Sequence, residues 1–261
     1  MDQTIETLQA MGRSLGDILG LSAPAVGVRL LSATESPLAS TERLQGYRYC
    51  QALMEARHGR FVVLDSEGIA CPAAAAAFGF RPLPENLRNG KGLVGFGIVA
   101  DEAVGRHMFE SMPTLSPGEI QQLHLFPLDQ ALELPDVVVV EDEVEKLMWL
   151  NLAYLHATGG QRIVSSTAVL QATCVDATII PYLEERLNFS YGCYGCRDAT
   201  DLGCHEAVLG FPATILPAVM QHLHFLNEKA ISTSRGKKAL AALRKKEQKQ
   251  NGSEGQASSQ E

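Results

Sequence analysis

The run "PDVVVV" at residues 135–140, followed at once by "EDEVEKLMWLNLAYLHATGG", constrains the fold more than any other stretch. Four consecutive valines read as a buried strand. Acids in the first turn and glycines beyond the end mark the next segment as a helix. The alternation continues. "QRIVSS" reads as a strand, and "TAVLQATCVDATIIPYLEERL" as largely helical, with Pro181 at a kink or boundary. "EAVLGFP" reads as a strand and "ATILPAVMQHLHFLNEKA" as a helix. Strands alternating with helices predict an α/β or α+β fold, a mixed sheet flanked by helices.

The N-terminal half fits the same class. Ile5, Leu8, Met11, Leu15 and Ile18 recur at helical spacing and predict a helix over 2–20. "APAVGVRLL" and "RFVVLD" read as strands. Between them "TERLQGYRYCQALMEARHG" ends helically, with Arg57 and His58 in its last turn and Gly59 beyond. "IACPAAAAAFGF" reads as a helix opened by Pro72. Residues 81–97 are turn-rich. Gly90, Gly92 and Gly95 there spell G-x-G-x-x-G, but a dinucleotide fingerprint must follow a strand and open a helix. Here "RPLPENLRN" precedes and strand-like "VGFGIVA" follows, so a glycine-rich turn and strand is expected, able to line a pocket.

Residues 1–231 are expected to form a single globular domain, or two halves of similar size meeting near 115–135. Residues 232–261 are charged and then Ser/Gly/Gln-rich, with too little apolar surface at the end to offset the entropy of ordering, so a largely disordered tail is expected. The net charge of −8 is uneven: residues 231–261 carry +4, which leaves −12 on the remainder. An acidic body argues against nucleic acid as a partner. The opening residues show no secretory leader pattern, and no apolar run has membrane-spanning length, so a cytoplasmic protein with no membrane partner is expected. Thiols stay reduced there, and clustered cysteines point to metal binding or catalysis rather than bridges.

Six cysteines carry that chemistry: Cys50, Cys71, Cys174, Cys193, Cys196 and Cys204. Cys193 and Cys196 form a C-x-x-C pair whose sulfurs can converge on one ion around a tight turn, with Gly192 and Gly195 relieving the backbone. No second pair stands at zinc-ribbon spacing, and the adjacent Cys204 and His205 point apart, so a closed site needs distant ligands. Cys71 precedes Pro72 at a helix N-cap, where free N–H groups would stabilise a thiolate. Cys174 falls near the start or middle of a helix, and Cys50 lies on the helix before "FVVLD". Thiolates from several elements suit an iron–sulfur cluster, and equally a structural zinc. Two other readings stand beside these. Buried cysteines serve as small core residues. Alternatively, Cys193 or Cys196 could act as the nucleophile of a thiol oxidoreductase or transferase, although the pair lacks the thioredoxin context, in which C-x-x-C follows a strand and opens a helix. The histidines read as surface or core residues, Trp149 and Tyr154 as core, and Glu184/Glu185 as a solvated face. No nucleophile elbow, P-loop or H-E-x-x-H is present.

The stretches "RYCQALMEARHGRFVVLDSEGIACPAAAAAFGF", "PDVVVVEDEVEKLMWL", "TCVDATIIPYLEERLNFSYGCYGCRDATD" and "VLGFP" resemble the domain of unknown function 169 family. Its elements C-Q-A, S/A-C-P, C-x-D and G-C-x-G-x-R fall on Cys50, Cys71, Cys174 and Cys193, with Gly195 and Arg197 also matching. The alanine run departs from the glycine usual after C-P, Cys196 stands where the pattern is looser, and Cys204 has no counterpart. The resemblance implies a shared site of four dispersed cysteines, the number a [4Fe–4S] cluster takes, with zinc as the alternative. It implies no established activity. With that site, the expectation is a redox, electron-transfer or sensing role, with Gly195 and Arg197 on the cofactor side and Arg197 anchoring an anionic ligand or tuning a cluster. A redox partner, a small anionic ligand and a homo-oligomer are the partners this allows; a zinc-stabilised small-molecule or protein-binding module is the remaining alternative.

Overall fold

In the computed structural model, which describes residues 4–35, 38, 41–234 and 237–257, the chain opens with helix α1 (Ile5–Leu19). The Thr4 hydroxyl accepts from the Thr7 N–H to cap it, and left-handed Gly20 closes it. Strands β1 (Val26–Leu31) and β2 (Glu42–Arg43), helix α2 (Tyr49–Arg57), strand β3 (Val62–Asp65) and helix α3 (Pro72–Ala77) follow. Three short helices come next: α4 (Glu85–Arg88), α5 (Lys91–Gly95) and α6 (Glu102–Glu110). Strands β4 (Gln122–Pro127) and β5 (Val137–Glu143) lead into α7 (Val144–Ala157). A π-helix (Ala172–Ile179) runs directly into α8 (Ile180–Glu184), with Pro181 at the junction. Then come β6 (Asn188–Ser190), α9 (Tyr194–Ala199), β7 (Glu206–Pro212) and α10 (Leu216–Leu226). A short π-turn (Asn227–Ile231), α11 (Ser232–Ser234) and α12 (Lys238–Ala257) end the described chain.

The seven strands form one mixed sheet in the order β2–β3–β4–β1–β5–β7–β6, as the α/β reading expects. Only β2 and β3 run parallel; the other pairings are antiparallel. Strand β1 sits near the centre, with Val28 opposite Leu125 of β4 and Val26 opposite Val139 of β5, so one sheet joins strands from both halves of the chain.

Both faces of the sheet are covered, which is why the valine run is apolar without alternation. Val137 and Val139 face a core shared with β1, β3 and β4, helices α2 and α3, and the π-helix. Val138 and Val140 face the opposite core, with Phe126, Leu209 and Phe211 packed against α1, α7 and α10. Trp149 and Tyr154 belong to that second core, as their sequence setting implies. A small third cluster, Ala73 with Leu87, Leu93 and Phe109, joins the α4–α6 arm to α3.

Several expectations need correction. "QRIVSS" forms no strand; its serines are used otherwise. The Ser166 N–H donates to the Asn188 side chain at 2.8 Å, the Ser165 hydroxyl donates to the Phe189 carbonyl at 2.6 Å, and β6 takes the place beside β7. "VGFGIVA" is also not a strand, because its first residues complete α5. Gly90 (φ +85°) starts that helix so close to α6 that a Cβ there would lie 2.0 Å from the Glu102 carbonyl oxygen. Gly90 and Gly92 thus serve helix packing, whereas a Cβ on Gly95 would meet nothing within 4 Å. Of the tail expected to be disordered, residues 238–257 lie in α12 and residues 258–261 fall outside the described residues. Among the described residues, no helix is long and apolar enough to cross a membrane.

Candidate functional site

Four elements on one face of the sheet bring cysteines to a common place. Cys50 is the second residue of α2, Cys71 the N-cap of α3, Cys174 the third residue of the π-helix, and Cys193 the N-cap of α9. With Cys196, one turn into α9, all of them line one cavity of about 390 Å³. Cys204 is exposed and lies instead on a separate open groove with His205 and Arg197; Cys193 borders both spaces.

Local chemistry explains this convergence. Helices α2 and α9 are tied by Arg48 Nη1 donating to the Gly195 carbonyl at 2.9 Å and by Gln51 Nε2 donating to the Ala199 carbonyl at 3.2 Å. Deeper in, Arg57 pairs with Glu141 at 2.9 Å and Asp201 at 3.1 Å. The turn into Cys193 needs Gly192, whose φ is +85° and whose missing Cβ would lie 2.8 Å from Leu202. Arg197 holds that turn from outside. Its Nη1 donates to the Gly203 carbonyl at 2.7 Å, its Nη2 to the Glu206 carbonyl at 2.7 Å, and its guanidinium also donates to the Tyr191 carbonyl. The structure therefore sets Arg197 to bracing backbone, away from the cysteine cavity. Gly195 does line the cavity, and a Cβ on it would come 4.0 Å from Cys193 Sγ.

The π-helix is fixed by polar contacts that are distant in sequence. Asn188 Nδ2 donates to the Asp176 and Ser166 carbonyls at 2.8 and 2.9 Å. The Thr167 hydroxyl donates to Asp176 Oδ2 at 2.5 Å, and Tyr49 Oη and Thr178 Oγ1 stand 2.8 Å apart. Gly210 of β7 lies so close that a Cβ would sit 1.8 Å from the Ala177 carbonyl oxygen. Val169 and Gln171, just before the π-helix, hold left-handed φ of 56° and 53°. Such residues cost of order 1–3 kcal/mol each and concentrate, like π-bulges, at functional sites.

The thiols differ in charge. Burial, then Cys193 and Cys71, push Cys50 up to about 12. Burial and the same neighbours, with Cys50, raise Cys174. Cys193 goes the other way, to about 6, lowered chiefly by its contact with Cys196, whose backbone N–H donates to Cys193 Sγ and whose thiol donates to the Cys193 carbonyl at 3.2 Å. The Cys196 N–H to Cys193 Sγ distance is 3.2 Å, and the Cys193 N–H donates back to Cys196 Sγ at 2.8 Å. Donating to Cys193 and being buried both hold Cys196 in its thiol form. The Cys71 side chain caps no N–H of α3, whereas Cys193 Sγ accepts from the Cys196 N–H at the start of α9. Asp176, raised to about 7 chiefly by burial, sits beneath this cluster, and Arg48 is the cation on the cavity wall. Sequence reasoning gave neither a role: Asp176 entered only as the last residue of the C-x-D element, and Arg48, two residues before Cys50 in "YRYC", was not singled out.

Among the described residues, no three His, Cys, Asp or Glu side chains are grouped so as to hold a metal ion. An all-sulfur donor set suits a zinc ion and an iron–sulfur cluster alike.

No curated protein and no solved structure matches the chain significantly. The family model of domain of unknown function 169, described as "Uncharacterised ArCR", matches residues 14–222. That span runs from α1 into α10 and takes in all the cavity cysteines, and the chain therefore belongs to the domain of unknown function 169 family.

Proposed function

We propose that Cys50, Cys71, Cys174 and Cys193 hold a [4Fe–4S] cluster and that the protein serves a redox, electron-transfer or sensing role. The observation that carries this reading is that four thiols from four separate segments line one cavity. Bound there, the cluster would supply one-electron redox chemistry. The chain's own residues account for loading and tuning. Cys193, lowered by its contact with Cys196 and accepting the Cys196 N–H on its sulfur, gives up its proton more readily than an ordinary thiol. Cys50 and Cys174, both raised by burial, must give theirs up, so loading releases protons. Arg48 offsets negative charge at the wall, and the Cys196 N–H on Cys193 Sγ would tune the potential.

Anaerobic purification and reconstitution, followed by iron and sulfide analysis and a visible spectrum, test the reading. About four irons per chain are expected, with loading lost in Cys174→Ser and retained in Cys204→Ser. A colourless, iron-free protein after reconstitution refutes it. A protein that instead takes up stoichiometric zinc belongs to the zinc alternative.

A second reading has its own support. The C-x-x-C pair stands between β6 and the start of α9, the strand-then-helix setting that the sequence alone did not reveal. Cys193 and Cys196 would then exchange two electrons and two protons with a disulfide such as oxidised glutathione, closing a disulfide between themselves. In metal-free protein this predicts selective labelling of Cys193 near neutral pH and a reversible loss of two mass units, both unchanged in Cys71→Ser. Cys71→Ser would abolish cluster loading, so one variant separates the two readings.

A further inference from the structure

The cavity has a second side. Cys50, Cys174, Cys193 and Cys196 belong to the main core, whereas Leu87, Leu93 and Phe109 belong to the third cluster, built by the α4–α6 arm. Cys71, which lines the cavity, packs against both, as does Met112 outside it, so the cavity lies on the seam between the two. The arm is held rigidly: a Cβ on Gly105 would come 2.9 Å from the Gly90 carbonyl oxygen. At the rim Phe96 and Tyr194 are each 68% exposed although both line the cavity. A volume of about 390 Å³ is within the range of small-molecule sites, about 300–1,000 Å³, which are mostly apolar with a few polar groups.

One polar group here lacks a partner. Thr173 lines the cavity, is 2% exposed, and its hydroxyl makes no hydrogen bond in the protein. A buried hydroxyl left unpaired is costly, and a ligand oxygen would relieve it once the Thr173 side chain turns from its closed-off position toward the cavity. Arg48, the charged side chain on the wall, already donates to the Gly195 carbonyl. From this geometry we infer that the cavity, between the arm and the π-helix, binds a small, uncharged, apolar molecule bearing one hydrogen-bonding oxygen, with Thr173 turning to become its polar contact and Phe96 and Tyr194 at the mouth. The inference rests on the cluster reading in one respect: Arg48 is taken to balance an anionic cluster and so to leave no counter-charge for an anionic ligand.

1-Naphthol is a suitable fluorescent probe, with naphthalene lacking the oxygen and 1-naphthoate carrying a charge. Full-length protein is titrated metal-free and after reconstitution, with iron measured separately. Saturable one-to-one binding of 1-naphthol is expected, tighter than either comparison compound. Thr173→Val keeps the side-chain shape, and it should weaken 1-naphthol about five- to tenfold, to the level of naphthalene. Phe96→Ala, at an exposed position that does not threaten folding, should weaken both by about threefold or more. Absence of saturable 1-naphthol binding, unchanged affinity in both variants, or tighter binding of 1-naphthoate to reconstituted protein overturns the inference. An iron-free protein that binds 1-naphthol with these variant effects refutes the cluster and leaves the chamber standing; an iron-loaded protein that binds none does the reverse.

Discussion

The two faces of the sheet are covered by different kinds of structure. On one, α1, α7 and α10 cover an apolar core that also takes in buried His124, Asp142 paired with Lys146, and a short π-turn after α10. On the other lie the π-helix, two non-glycine residues in left-handed conformation just before it, the buried pair Arg57–Glu141 and the cavity cysteines. The first face follows the local rules of helix packing. The second departs from them repeatedly within a small region, and such departures persist where surrounding structure enforces them and concentrate at functional sites. The comparison therefore assigns stability chiefly to one face and chemistry to the other.

Glycine substitutions test that division most severely. Gly210→Ala would drive a Cβ into the Ala177 backbone at 1.8 Å, and neither β7 nor the π-helix can yield without moving Cys174. We expect a loss of about 3 kcal/mol or more in urea unfolding, with failure of cluster loading. Gly27→Ala is the control on the other face, where the new Cβ meets the Phe126 ring at 2.5 Å. A side chain can shift where backbone cannot, so the loss should be smaller, about 1–2 kcal/mol, with loading retained. Equal effects would erase the contrast.

The pH dependence of stability should also belong to the cysteine face. Burial raises Glu141 to about 7, outweighing the pull of Arg57, with Asp201 and Glu206 adding to the rise. The folded chain thus keeps a proton between about pH 4.5 and 7 that the unfolded chain releases, so this group's contribution is full below pH 4.5 and falls as pH climbs to 7. The fall is of the order of 3 kcal/mol. Chemical unfolding of wild type and Glu141→Gln at pH 5 and pH 8 measures it; the variant should be flatter by that difference. Identical slopes would show that Glu141 is as freely ionised as a surface carboxylate.

The same contrast explains what could be read from the sequence. Helix α1 and the valine strand were legible because periodicity and a cap record burial locally; α7 and α10 were legible as helices, but the acids Glu141, Asp142 and Glu143 read as the first turn of α7 are the last residues of β5. The cysteine face was legible in composition and family motif but not in shape. Nothing local predicts a π-helix that depends on Asn188, Gly210 and Tyr49. Strand β4, "QLHLFP", escaped notice because it is buried on both faces and carries His124. "QRIVSS" looked like a strand on β-propensity, yet its serines bond Asn188 and Phe189. The arginine matched by the family motif braces a turn, and its cationic place at the cavity is taken by Arg48, which no spacing rule singled out.

A milder prediction concerns Tyr49, whose hydroxyl meets Thr178 beneath the π-helix at 2.8 Å. Tyr49→Phe should cost about 1 kcal/mol, since the Thr178 hydroxyl still donates to the Thr173 carbonyl at 2.9 Å and is not orphaned. A loss several times larger would mean that this bond alone holds the π-helix.

The smallest expected change in stability is the most discriminating for the site. Gly195 lies inside α9 without positive φ, and a Cβ there would find ordinary contacts, 3.6 Å to Arg48 Nη1 and 4.0 Å to Cys193 Sγ. Gly195→Ala should leave the thermal midpoint unchanged or slightly raised, because alanine favours helix by about 0.5–1 kcal/mol. The added methyl nevertheless stands beside the thiolate and narrows the space that a bound group would share with it. If Gly195 is only a helix residue, loading in the variant will equal wild type. If the cavity is built to be filled at Cys193, loading will fall while the fold stays as stable as before, and only a site, not a core, responds in that way.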